Sequence, residues 1–80
     1  MMALPMDENL LDRIVTDPRV MAGKPVIRGT RIPVELLIQM LAQGSSVVEI
    51  LTEYPQLQQV DIRAALTYAA RRVNGPDDAA

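Results

Sequence analysis

The spacing of apolar positions along the 80 residues changes character once, at Pro33. Before it, apolar residues come in short runs broken by turn formers. Arg13-Ile14-Val15, Val26-Ile27-Arg28 and Thr30-Arg31-Ile32 are β-favouring triplets. Asp17-Pro18 stops the first run, because the proline ring fixes its own φ and pushes the residue before it out of helical space. Val20-Met21 is a further apolar pair, Ala22-Gly23-Lys24-Pro25 reads as a turn, and Gly29 marks a tight turn or bulge between extended pieces. Residues 13–32 are therefore expected to form two to four short strands. Strands so short are not stable alone, so they must lie on the rest of the chain or pair with another chain.

From Pro33 onward the period is helical. Pro33 suits the first helical position, where a missing N–H is no loss, and Glu35 falls in the first turn, where the helix dipole favours an anion. Val34, Leu37, Ile38 and Leu41 make one buried stripe, and Leu36 and Met40 widen it beyond what one core face requires. Gly44 ends this helix. Ser46-Val47-Val48-Glu49 has capping-box spacing and opens a second helix, with Val47, Ile50, Leu51 and Tyr54 inward and Pro55 as its stop after about two turns. Gln56-Leu57-Gln58-Gln59 reads as a connector. A third helix is expected over residues 60–73, with Asp61 in its first turn and Arg71 and Arg72 in its last. Its inward stripe is expected to be Ile62, Leu66, Ala69 and Val73, with Ala65 and Ala70 as small close-packing neighbours, and Asn74-Gly75-Pro76 stops it.

The fold class that follows is mainly α: a three-helix bundle over residues 33–74 behind a short N-terminal β-hairpin element at 13–32. Residues 1–12, with a helical turn near 9–12, and residues 75–80 read as tails. A short second helix joined tightly to a longer third is also the outline of a helix-turn-helix unit, whose last helix enters the DNA major groove. The outward positions would then be Arg63, Ala64, Thr67, Tyr68, Arg71 and Arg72. Of these Arg63, Thr67, Arg71 and Arg72 are the candidates for DNA contact, with the arginines on phosphate. The helix holds no Asn or Gln to read bases. The same geometry packs three short helices without any DNA, and both readings stay open.

Composition narrows the chemistry. Hydrophobic residues are 49% of the chain, but Phe, Trp, Cys and His are absent, so the core is aliphatic. One domain of this length is marginally stable unless something else helps. Neither a disulfide nor a conventional zinc site can supply that help, which leaves self-association or a partner chain. The same absences remove the thiol nucleophile, the imidazole base and the Ser-His-Asp triad, so the chain is expected not to be an enzyme and to hold no metal or cofactor. No apolar run approaches a bilayer span, residues 1–11 lack the basic start of a secretory signal, and a cytoplasmic location is the expectation.

The net charge of −2 conceals segregation. Arg13, Arg19, Lys24, Arg28 and Arg31 face only Asp17 in residues 13–31, while residues 32–62 hold Glu35, Glu49, Glu53 and Asp61 and no base. Segments of opposite sign could meet across two chains, or remain ordinary solvated surface. Glu49 and Glu53 stand four apart without a third ligand, which reads as a solvated helix face. Gly23-Lys24-Pro25 lacks the spacing and the following hydroxyl of a phosphate loop.

Gly23-Lys24-Pro25-Val26-Ile27-Arg28-Gly29-Thr30-Arg31-Ile32-Pro33-Val34, following Asp17-Pro18, resembles the signature of the bacterial domain-of-unknown-function family 433, grouped with VapB-type antitoxins. Gly44-Ser45-Ser46, Glu49-Ile50-Leu51, Tyr54-Pro55-Gln56-Leu57 and Asp61-Ile62-Arg63-Ala64-Ala65-Leu66 agree with it. The resemblance runs from Ile14 to about Tyr68. It implies a homeodomain-like three-helix core behind a small β element, a homodimer, and an antitoxin role against a PIN-like nuclease toxin. Gln58 departs from the pattern, which often has Thr or Ser there to cap the third helix, and Gln is a weaker cap.

Set beside that resemblance, Lys24, Arg28 and Arg31 have two readings. They are an arm for the carboxylate cluster of a nuclease, since Arg binds carboxylate bidentately. Alternatively they belong to a structural hairpin, solvated or paired at a dimer seam. Leu36 and Met40, with Met21, are expected to serve partly as interface. The partners expected are therefore a second copy, a PIN-like toxin and, on the alternative reading as a DNA-binding regulator, operator DNA.

Overall fold

The computed structural model describes residues 10–74. Of the tails expected at 1–12 and 75–80, residues 1–9 and 75–80, with the Gly75-Pro76 stop, lie outside the described residues, whereas residues 10–12 are ordered against the domain, with Leu10 buried. Within them the order is β1 (Ile14–Val15), a 3₁₀ turn (Met21–Gly23), β2 (Val26–Ile27), α1 (Val34–Ala42), α2 (Val47–Glu53) and α3 (Gln59–Val73). This is a mainly-α, three-helix bundle with an N-terminal β-hairpin.

The β element closes within one chain. β1 and β2 are antiparallel, with Ile14 opposite Ile27 and Val15 opposite Val26. The chain then turns back on itself. Gly29 takes φ +80°, Thr30 N–H and Oγ1 both donate to the Ile27 carbonyl, and Ile27 N–H donates to the Ile32 carbonyl. Val26 bridges Pro33, and Val34 N–H donates to the Pro25 carbonyl at 2.9 Å. Pro33 accordingly stands one place earlier than expected, as an extended N-cap (φ −70°, ψ 144°) shared by the hairpin and α1.

The two helix ends read from local signals form as expected. At the end of α1, Gly44 adopts φ +102°, Gly44 N–H donates to Leu41 and Ser45 N–H to Met40, so the last carbonyls find donors that only a left-handed residue can aim. At the start of α2, Ser46 Oγ accepts from Glu49 N–H at 3.0 Å and Glu49 Oε1 accepts from Ser46 N–H at 2.8 Å.

The core is Ile27, Ile32, Val34, Leu37, Ile50, Leu57, Ile62 and Ala65. α1 packs chiefly on α3, with α2 across both and β1 laid against α3. Leu57, read as connector, is buried, and so is Leu10, which precedes the hairpin in a helical turn closed by Arg13 N–H on its carbonyl.

α3 begins one residue before the expected start and faces inward differently. Asp61, Ile62, Ala64 and Ala65 are buried, whereas Leu66 is 47% and Val73 75% exposed. Ala64, expected outward, has no exposure, whereas Ala70, expected to pack closely like Ala65, is exposed. The buried face is turned by roughly one residue position, about 100° of helix. The hairpin accounts for this: β1 lies against α3, and Arg13 beside it donates to the buried Asp61.

The turn before β2 is strained. Met21, Ala22 and Gly23 take φ of +51°, +57° and +84° in succession. A left-handed backbone costs a non-glycine residue about 1–2 kcal/mol. Ala22→Gly is therefore expected to stabilise the domain by about 0.5–1 kcal/mol, after the greater freedom of unfolded glycine is subtracted. The check is a higher urea midpoint at unchanged m-value. Gly23→Ala should move the midpoint the other way, through φ alone, since an added Cβ there meets nothing closer than Pro18 Cα at 3.8 Å.

Candidate interaction surfaces

The hairpin distributes the basic residues of 13–31 among different tasks. Arg13 Nε donates to Asp61 Oδ1 at 2.5 Å, and Asp61 Oδ2 accepts from Gln58 N–H at 2.8 Å. One buried carboxylate thus docks the hairpin on α3 and caps the helix that Gln58 opens without a hydroxyl. Arg19 folds back on Asp17 through its backbone N–H and guanidinium. Its guanidinium and then its N–H hold the Asp17 carboxyl below the ordinary carboxylate range. The folded value lies below the unfolded one, so this contribution exists at neutral pH and is lost as pH falls through that lowered range.

Of the three residues assigned to a basic arm, Lys24 pairs with Glu35, Nζ to Oε2 at 2.7 Å, with both side chains about half exposed. Arg28 Nε donates to the Asp12 carbonyl at 2.8 Å. Arg31 is exposed and makes no side-chain bond among the described residues. The hairpin therefore does not gather the three cations into one cluster. Leu36 and Met40 are half-buried and pack on the edge of the core, so the broad apolar arc of α1 is in part used within the chain. Met21 remains 41% exposed.

On α3, Arg63, Thr67 and Arg71 follow one another at four-residue spacing along one side. Arg63 and Arg71 are exposed and Thr67 is half-buried. Arg72 turns to another flank, its guanidinium 5.8 Å from the Tyr68 ring centroid. There it borders a cleft of about 300 Å³ between α1, α3 and the start of β2, floored by Pro25, Val34, Ile38, Tyr68 and Ala69, with Lys24 and Glu35 on its rim. Lys24 and Arg72, assigned to different surfaces by sequence, meet at this cleft.

Among the described residues no group of three or more His, Cys, Asp or Glu is placed to hold a metal ion. No helix there is long and apolar enough to cross a membrane. What the surface offers is apolar side chains beside charged ones. Sequence reasoning missed the outward Leu66 and Val73, together with Val48, 73% exposed on α2. A period shared by the buried and the exposed face of α3 hid the first two.

A three-helix domain fronted by a hairpin is the class of fold. The chain belongs to the DUF433 family, described as proteins of unknown function, whose model matches residues 14–69. A solved structure of a DUF433 member protein from Anabaena variabilis is similar at TM-score 0.75 and 36% identity, over 84% of this chain and 66% of that one. The uncharacterized protein y4eO of Sinorhizobium fredii is 39% identical over 56 residues, 70% of this chain. The match spans only 25% of that relative's length. An uncharacterized protein of Archaeoglobus fulgidus is 53% identical over 30 residues, 38% of this chain and 83% of its own.

Proposed function

We propose that this chain is the antitoxin of a bacterial toxin–antitoxin pair, a cytoplasmic homodimeric binding module that silences a PIN-like nuclease toxin. The observation that carries the reading is the apolar surface left over by so small a domain. Met21, Val48, Leu66 and Val73 stay exposed although the aliphatic core is complete without them. Leu66 and Val73, seven positions apart on one side of α3, are the pair that a partner would cover together. The partner class comes from the resemblance of the Gly23-to-Pro33 run to VapB-type antitoxins. Arg31, the cation of the hairpin with no side-chain bond among the described residues, is the residue to reach an acidic nuclease centre, ahead of the engaged Lys24 and Arg28.

Co-expression with the product of the neighbouring gene tests this. A nuclease-like protein should co-purify, and Arg31→Ala should weaken its inhibition about tenfold or more, as expected for loss of a desolvated charge contact. No stable complex with any adjacent nuclease-like protein would overturn the reading.

A second reading has its own observation. α2, the turn at 54–58 and α3 follow the order of a homeodomain-like helix-turn-helix, and Arg63, Thr67 and Arg71 lie along one side of its last helix. As a DNA-binding regulator, the chain should shift its upstream promoter with affinity falling steeply as salt rises, because phosphate contacts release counterions.

A further inference from the structure

The last turn of α3 ends on an amide that neither proposed surface uses. At Asn74 the backbone leaves helical space (φ −96°, ψ 23°), and its N–H makes the last bond of the ladder, to the Ala70 carbonyl at 2.9 Å. The residue is exposed, and its side-chain amide makes no hydrogen bond among the described residues. Gly75 follows it in the sequence. Without a Cβ, a glycine leaves its backbone nitrogen open to the side-chain carbonyl carbon of the asparagine before it. Inside a helix the ladder holds an asparagine backbone fixed and keeps those two atoms apart. Asn74 stands where the ladder ends.

We propose that Asn74 is a site of spontaneous deamidation, through a cyclic imide formed with Gly75. The backbone nitrogen of Gly75 gives up its proton and attacks Cγ of Asn74. A C–N bond forms, the bond from Cγ to the side-chain nitrogen breaks, and ammonia leaves with the proton. Water then opens the ring. Cleavage between the ring nitrogen and Cγ gives aspartate. Cleavage between the ring nitrogen and the backbone carbonyl carbon gives isoaspartate, whose chain runs on through Cγ. Nothing is oxidised or reduced, and water is the only co-reactant.

Either product places a carboxylate at the end of α3, where unpaired carbonyls already carry partial negative charge. Isoaspartate also lengthens the backbone by one carbon directly after the residue that bonds to Ala70. Both products therefore loosen the last turn. Arg71 and Arg72 in that turn offset part of the new charge, so the loosening stays local and the core is untouched. Neither the toxin nor the DNA reading is needed for this chemistry.

The full chain, incubated in mildly alkaline buffer at physiological temperature, is followed by ion-exchange chromatography and by peptide mapping with isoaspartate detection. A more acidic form should accumulate, with isoaspartate in excess of aspartate at position 74. Asn9, the other asparagine, precedes Leu10, whose branched side chain hinders the same attack, and it should convert at least about tenfold more slowly. Gly75→Val should slow conversion at position 74 by about tenfold or more. In urea, where the helix is gone, conversion at 74 should be less than about tenfold faster than in the folded chain. A larger acceleration would show that the fold shields Asn74 and would overturn the proposal. Conversion at 74 no faster than at Asn9 would overturn it as well. So would a Gly75→Val variant as fast as the original chain, since the amide would then be hydrolysed directly. Hydrogen exchange of the aged chain should quicken in the last turn of α3 and stay unchanged at Leu37 and Ile50. Exchange unchanged in both places would overturn the loosening of that turn.

Discussion

Replacing Leu37 by Ala is expected to lower the unfolding free energy by about 3–5 kcal/mol. Leu37 has no exposure and sits on the face of α1 that meets α3, within the cluster that holds Ile27, Ile50 and Ile62. The substitution loses the transfer free energy of the removed carbons and leaves a cavity that interlocked neighbours cannot fill. A domain of 80 residues has only about 4–12 kcal/mol in total, so the variant should be largely unfolded at moderate urea, and partly so without it. Chemical unfolding followed by CD measures this. Val48→Ala, at a position 73% exposed, is the control and should move stability by less than about 0.5 kcal/mol. Equal effects at the two positions would show that α1 does not pack as described.

Arg13→Ala is expected to cost about 2–4 kcal/mol, because it strands a carboxylate taken out of water. Asp61 is 3% exposed, and its remaining bond comes from Gln58 N–H. The Arg13 side chain is 34% exposed, so water reaches one side of the pair and the loss falls short of that for a fully enclosed bridge. Asp61→Ala should cost a similar amount and in addition fray the start of α3, where the carboxylate also serves as cap. The double variant separates the two contributions. Its cost should be less than the sum of the single costs by about 1–2 kcal/mol, the signature of a direct interaction. Strict additivity would mean that the two side chains act independently. Added salt should change the Arg13 effect little, since a pair with one partner buried is poorly screened.

Leu37 and the Arg13–Asp61 pair differ in how far apart along the chain their partners lie. The place of Leu37 in the Val34, Leu37, Ile38, Leu41 stripe puts it in the core. The Ser46–Glu49 box and Gly44 were assigned from spacing alone. Each is a relation across three or four residues, so the helix that creates the pattern also satisfies it. The Arg13–Asp61 pair spans 48 positions and has no local signature. Leu57 looked like connector because one Leu among glutamines shows no period. The basic residues of 13–31 were legible as a charge run, but their division among Asp61, Asp17, Glu35 and the Asp12 carbonyl was not.

The amino-acid sequence by itself determined the elements: a hairpin region before Pro33, three helices after it, the Gly44 stop and the Ser46–Glu49 cap between the first two, and an aliphatic core without cysteine or histidine. Only the tertiary structure decided how α3 is turned about its axis. In the sequence Ile62, Leu66, Ala69 and Val73 form as good a stripe as the one that is buried, because a helix rich in Ala and aliphatic residues has more than one apolar face. The hairpin breaks the tie. Once β1 lies against α3 and Arg13 reaches Asp61, that side of α3 is enclosed, and Leu66, Ala70 and Val73 are left facing outward. A choice between two apolar faces depends on what arrives from elsewhere in the chain, and no local period records it.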